Sequence, residues 1–431
     1  CRIAYPSTPA HLCPQPHPMR LLHTSDWHLG QSFHQFDRRA EHQAFLDWLL
    51  GVLEAEAVDA LLIAGDVFDN SNPSAQAQAQ LYRFLAEARR RVPQLAIVMT
   101  AGNHDSPGRL EAPAPLLSVF DACVVGHVGR QADLDAALGR LLVPLKDAAG
   151  REAAWCIAMP FLRPDDLPRV EGTDDPYAAG VAALYRRAFE LAAERRQPGQ
   201  AIVAIGHCHL AGGEVSEDSE RRIVIGGAEA LPAGIFDPRI AYVALGHLHR
   251  AQKIGGDPTR RYCGSPLPMS FSEVGYRHQV VLVDLVGEGV AETREMVVPR
   301  SVDLLQVPAK PAPLDDTLAV LGALDLPDRP EAQWPYLHVR VQLEGPEPGL
   351  RARIEEALAG KPVRLARIET TTLRGALPDA APALSLDELN ALKPEAFFLR
   401  LYQQRFGSDA PPELMAAFGE LLDAPAAEGA A

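Results

Sequence analysis

Five times along this chain a short apolar run stops at a small residue and metal-ligand residues follow at once. Leu21–Thr24 leads to Asp26-Trp27-His28, Ala60–Ala64 to Gly65-Asp66, and Gln94–Thr100 to Gly102-Asn103-His104-Asp105. Ala201–Ile205 leads to Gly206-His207, and Ile240–Leu245 to Gly246-His247-Leu248-His249. An unbroken apolar run between helical stretches reads as a strand buried on both faces, the kind found in sheets covered by helices. Polar residues at the carboxyl ends of such strands share one rim, so side chains far apart in sequence can meet one ligand.

The intervening segments have helical spacing. Phe45, Leu46, Leu49, Leu50 and Leu53 recur near every third or fourth residue. Ser74 is placed to cap a helix reaching about Arg91, with Leu81, Phe84 and Leu85 inward, and a further helix is predicted over 178–196. Additional strands are expected near 141–145 and 154–159, and closing strands near 280–285 and 292–298. Strands near 302–307, 336–342 and 362–369, with helices near 315–323 and 348–359, suggest a separate small α/β unit. A Pro/Ala-rich stretch, 376–383, reads as a linker, and amphipathic helices follow near 386–392, 394–406 and 411–422. The fold class is α/β: β-sheets sandwiched by helices, a small α/β capping domain and C-terminal helices. The expected divisions are a foreign or disordered extension (1–18, with Met19 the natural start), a core (19–284), a cap (285–370), a linker (371–384), a helical segment (385–424) and a disordered tail (425–431).

Chemistry narrows the function further. In order, the five segments supply Asp26, His28, Asp66, Asn103, His207, His247 and His249. Oxygen and imidazole donors of this kind suit two divalent ions sharing one carboxylate, a device for attacking phosphate esters. Asp66 ends an almost wholly apolar strand, where a carboxylate must be paired or metal-bound to offset its desolvation. His104 can stand beside a metal without binding it and act as an acid or stabilise charge. His209 competes with His207 for a ligand role, because Gly206-His207-Cys208-His209 imitates the later Gly-His-x-His; His207 is preferred because it follows glycine at the strand end. Any one motif alone could be an ordinary turn or helix cap. Five in order, each at a strand end, are hard to reach by accident.

Charge and composition exclude several classes. The net charge is −15, from 41 basic and 56 acidic residues, which argues against a protein that coats nucleic acid by itself. It leaves room for a nuclease whose bound cations and partner offset the charge. The six cysteines show no CxxC spacing and read as isolated thiols of a reducing compartment. No apolar run is long enough to span a membrane, so no transmembrane helix is expected. No GxxxxGK[ST] occurs, so the chain is not itself a P-loop ATPase.

The order DxH, GDxxD, GNHD, GH, GHxH resembles the calcineurin-like metallophosphoesterase superfamily. Longer stretches resemble its SbcD branch: Met19–Gln31, Glu41–Leu49, Ala64–Asp69, Ala244–Gln252 and Arg261–Phe271. The resemblance implies a manganese-dependent nuclease, with magnesium the alternative, that acts on double-strand DNA ends and hairpins as exonuclease and endonuclease. It implies one metal on Asp26, His28 and His249, a second on Asn103, His207 and His247, and Asp66 bridging them. His104 would be the catalytic histidine, and Asp69 would hydrogen-bond it and fix its tautomer, as a carboxylate does in the superfamily's phosphatases. The resemblance also implies a cytoplasmic, nucleoid-associated location, a homodimer, and C-terminal helices around Phe397–Phe406 that dock on the coiled-coil base of an SbcC-type ATPase. DNA-contacting residues are not legible. A small-molecule or nucleotide phosphodiesterase, or a scaffold without activity, is the alternative; the cap and tail argue against the first and the full ligand set against the second.

Overall fold

The computed structural model describes residues 18–129, 133–216, 230–372, 394–407, 409–412, 414, 415 and 418. The expectations for residues 1–17, for the linker from 373, for a helix at 386–392 and for the tail lie outside the described residues.

Two compact units emerge, and they divide at Leu304/Leu305, with Pro330–Pro335 belonging to the first. The first unit holds two six-stranded sheets. In one, Met19–Thr24, Ala60–Ala64, Ala96–Thr100 and Ala122–Val125 run parallel in that order. Gln279–Val286 pairs antiparallel with Met19–Thr24, and Gly289–Val297 lies outside it. The core sheet therefore continues past the expected division at 284. In the other sheet, Glu152–Ala158, Ala201–His207, Tyr242–Gly246 and Asp257–Tyr262 are parallel neighbours. Leu142–Lys146 and Gln252–Ile254 flank them antiparallel.

Strand alternation builds the layers. Ala60, Leu62 and Ala64 join Leu21, Val98, Ile202, Ala204, Val243 and Leu245 in one buried cluster shared by both sheets. Leu61 and Ile63 point the other way, into a second cluster with Leu22, Ile97 and Met99. Helices Arg39–Ala55 and Ala75–Arg91 close that second cluster with Phe45, Leu46, Leu49, Leu50, Leu81, Phe84 and Leu85. Ser74 caps the latter by accepting from the Ala77 N–H at 3.2 Å, which satisfies one of the unpaired donors of the first turn. Helix Pro176–Arg195 buries Leu184, Tyr185 and Phe189 in the cluster shared by the sheets. The two central strand pairs thus face one another and end on the same side.

The second unit contains strands Leu304–Pro313, Tyr336–Leu343 and Arg364–Thr372 in one three-stranded sheet, the last two parallel. Leu321, Leu337, Val339, Val341 and Ile354 form its own core, with helices Leu314–Gly322 and Leu350–Ala357 supplying Leu321 and Ile354. Helix Pro394–Phe406 presents Phe397, Leu399 and Leu401, each more than two-fifths exposed.

Candidate metal centre

The strand ends converge through main-chain ties. The Asp26 N–H donates to the Gly65 carbonyl and the His28 N–H to the Asp66 carbonyl, both at 3.0 Å. Glycine is required where these loops touch. A side chain on Gly65 would strike the His207 ring, one on Gly102 the Asp66 carboxylate, and one on Gly246 the Ala64 carbonyl. Four of the ligand-type residues hold left-handed backbone: Asp26, His28, Asp66 and His247 have φ of 54°, 46°, 47° and 103°. For side chains other than glycine this costs about 1–3 kcal/mol each, and such strain gathers at functional sites.

The geometry centres on Asp66. Its Oδ2 lies 3.7 Å from His28 Nε2 on one side and 3.4 Å from His207 Nε2 on the other. Asp26, His28 and His249 form one group with ligand atoms within 4.8 Å of one another; Asp26, Asp66 and His207 form another. Asn103 Oδ1 stands 3.0 Å from both His207 Nε2 and His247 Nδ1. The His247 N–H donates to the Asp26 carboxylate, which also accepts from the Ser25 hydroxyl. His209 approaches the Gly213 carbonyl, at 3.5 Å, and is not in either group.

Fixed hydrogen bonds aim the imidazoles. His207 Nδ1 meets the Ala64 carbonyl at 2.8 Å, which keeps a proton there and turns Nε2 toward Asp66. His28 is buried, and among the described residues neither of its ring nitrogens has a hydrogen-bond partner. Two orphaned buried nitrogens, with carboxylates 3.5 and 3.7 Å away, fit a site built for a cation. Burial pushes the Asp66 carboxyl up, but the imidazoles of His207, His28 and His104 outweigh it and hold it well below the usual carboxylate range. Burial holds His247 neutral, aided by the charge of His207.

His104 is partly exposed at the rim, with its ring edge-on to His28 at 4.8 Å between centroids. Its N–H donates to Asp66 Oδ1 at 2.8 Å. Its ring Nδ1 meets the main-chain carbonyl of Asp69 at 2.7 Å. The Asp69 carboxylate lies 3.5 Å from His28 Nδ1. Asp69 thus meets His104 through its main-chain carbonyl, while its carboxylate joins His28 and His104 in a third group whose ligand atoms lie within 4.8 Å of one another.

Two residues of the site were not singled out from the sequence. Asp105, the last residue of Gly102-Asn103-His104-Asp105, accepts from the N–H groups of Val67, Phe68 and Gly102 at 3.1, 2.9 and 2.9 Å. It ties the Asp66 loop to the Asn103 loop, and burial together with the Asp66 charge pushes its carboxyl up to about 6. Its adjacency to the motif was the available signal. Glu273 approaches His249 Nδ1 at 3.2 Å from a segment with no motif of its own.

The calcineurin-like phosphoesterase family model matches residues 19–251, and the model of the type 5 capsule protein repressor C-terminal domain matches residues 300–406. The SbcD subunit of the SbcCD nuclease of Rhodobacter capsulatus is 44% identical over 389 residues, covering 88% of this chain and 93% of the relative. The chain belongs to the SbcD family of calcineurin-like phosphoesterases. The SbcD of Escherichia coli K12 is 38% identical over 289 residues, 65% of this chain and 68% of the relative. That of Bacillus subtilis is 38% identical over 270 residues, 62% of this chain and 66% of the relative. Family membership and the donor set agree on divalent metals as the resident cofactor.

Proposed function

We propose that this chain hydrolyses DNA phosphodiesters with two divalent ions, as the nuclease subunit of an SbcCD-type complex. Family membership makes it a metal-dependent nuclease subunit. The observation that carries the two-metal reading is the position of Asp66 Oδ2 between His28 and His207, one carboxylate oxygen facing two groups of ligands.

Asp26, His28 and His249 would hold one ion, Asn103, His207 and His247 the other, and Asp66 both. When bound, such ions supply a nucleophilic water at neutral pH and offset charge on the transferring phosphoryl group. The chain's own residues do the rest. The Asp69 carbonyl holds the proton on His104 Nδ1, which leaves Nε2 as the nitrogen that would pass a proton to the departing sugar oxygen. The Asp69 carboxylate faces His28 Nδ1 across 3.5 Å, and Asp105 fixes the spacing of the Asp66 and Asn103 loops. Mn²⁺, with Mg²⁺ the alternative, is the ion that the family resemblance implies; nitrogen and oxygen donors without thiolate admit it but fit iron and zinc as well.

The exposed apolar side chains of helix Pro394–Phe406 support docking of an SbcC-type ATPase there. Leu116 and Val119, more than two-thirds exposed on the segment that follows the Asn103–Asp105 loop, support a homodimer face in the core. Its proposed DNA substrate puts the complex in the cytoplasm at the nucleoid. The test is cleavage of an end-labelled hairpin duplex in Mn²⁺, with and without the ATPase and ATP, beside Asp66→Ala. Cleavage that requires Asp66 and rises with the ATPase is expected. A metal-loaded chain that cuts nucleotides but no DNA would overturn the reading.

A further inference from the structure

We infer that Glu273 is a positioning residue for His249: it selects the ring tautomer in which Nδ1 carries the proton and Nε2 offers its lone pair to the Asp26–His28 side of the site. The inference rests on the two-metal reading and assigns a new residue to it.

Glu273 is fully buried. Its Oε1 lies 3.2 Å from His249 Nδ1, and its Oε2 accepts the Met269 N–H at 2.8 Å. An ionised carboxylate has only acceptors. The nitrogen that faces it must therefore be the one bearing hydrogen, and the other nitrogen is left as the donor to a metal. Of the imidazoles in the site, His207 is set the same way by the Ala64 carbonyl, and His249 takes a side chain for the purpose.

The carboxylate is anchored in a frame that also carries other ligands. Ser265 N–H donates to the His249 carbonyl at 3.1 Å, which joins the Glu273 loop to the His249 segment. Buried Arg38 donates through Nη1 to the Pro268 carbonyl and to Gln31 Oε1, both at 2.7 Å. Glu41 holds the same guanidinium from the other edge at 3.1 and 2.9 Å. Gln31 and Arg38 follow His28 in the chain. One clamp therefore fixes the segment bearing Asp26 and His28 against the segment bearing Glu273, and Glu273 in turn fixes His249.

Glutamine at 273 preserves shape but not pattern. One oxygen cannot face both the Met269 N–H and His249, so the amide either opposes a backbone donor or donates to His249 Nδ1. In the second case the ring proton moves to Nε2 and the metal lone pair is lost.

The experiment is equilibrium Mn²⁺ binding to the full-length chain, read by metal analysis after dialysis against graded free Mn²⁺, for wild type and Glu273→Gln. Two ions on wild type are expected. In Glu273→Gln one of the two should weaken by about 10–100-fold, with the other unchanged. Wild type that binds fewer than two ions would sink the two-metal reading itself, whatever Glu273 does. Two ions of unaltered affinity in Glu273→Gln, or both weakened alike, would overturn the inference and leave that reading standing. A second measurement needs no folded variant at position 273. In the metal-free wild-type chain labelled with ¹⁵N-histidine, the signal assigned to His249 should report the Nδ1–H tautomer; an Nε2–H signal would overturn the inference.

Discussion

Asp105→Asn should separate the two loops that hold Asp66 and Asn103, and its cost can be worked from the structure. The carboxylate accepts three main-chain N–H bonds, two on Oδ2 (Val67, Gly102) and one on Oδ1 (Phe68). The best asparagine rotamer keeps its oxygen on the pair and turns its NH₂ toward the Phe68 N–H, donor against donor. One buried N–H is then unsatisfied, at about 1–3 kcal/mol, and two bonds lose their charge assistance, at roughly 0.5–1 kcal/mol each. The total is about 2–5 kcal/mol. The residue is 2% exposed, so water cannot repair the loss. The assay is urea unfolding of the metal-free chain followed by tryptophan fluorescence, since buried Trp27 sits beside the Asp26 loop. The metal-binding isotherm is read in parallel and should weaken as the loops part. A variant that unfolds at the wild-type midpoint and binds metal equally well would refute the claim that Asp105 sets the loop spacing.

His104→Gln should leave metal content unchanged and lower turnover by roughly 10²–10⁴-fold, as read by hairpin cleavage at saturating Mn²⁺. Asp69→Asn keeps the carbonyl that faces His104, so its loss of turnover should be far smaller; equal losses in the two variants would return His104 orientation to the carboxylate. Stability should fall with acid through buried histidines: burial first, then the Arg261 charge, lowers His23 to about 3, and burial lowers His278 to about 4. The unfolded chain takes up protons near pH 6.5 and the folded chain does not, so stability is complete above 6.5 and declines toward 4, by about 1.4 kcal/mol per pH unit for each histidine. Replacing His23 with Gln should flatten the slope of urea midpoints between pH 6.5 and 4 by about that amount, and an unchanged slope would exclude His23. Leu116→Asp with Val119→Asp should reduce the solution mass measured by light scattering to that of a single chain; a mass unchanged from wild type would move the dimer face elsewhere.

Where a residue's surroundings are local, the sequence was legible; where they come from distant segments, it was not. Apolar runs such as Leu61–Ala64 bury both faces, so their ends announce a shared rim, and Asp66 could be read there as a carboxylate in need of a cation. Ser74 and the spacing of Phe45, Leu49 and Leu53 are local signals of the same kind. Strand Asp257–Tyr262 was illegible because its residues are polar. It is specified by the Gly255-Gly256 turn, at φ of 59° and 79°, and by pairing of buried Arg261 with Glu295 at 2.8 Å. Asp69 shows the same limit within the site. Its spacing from Asp66 says that it reaches the His104 loop, but whether carbonyl or carboxylate makes the contact depends on how the chain turns after Val67, and Asp105 sets that turn from a distant loop. Glu273 is the extreme case. Nothing near it in sequence binds metal, and its meaning arises only when Arg38 and Ser265 bring its loop against His249. Ligands can be read from strand ends because the strand itself aims them; the residues that orient those ligands are aimed by tertiary packing, so a search for them has to start from the hydrogen bonds on each ligand's far nitrogen.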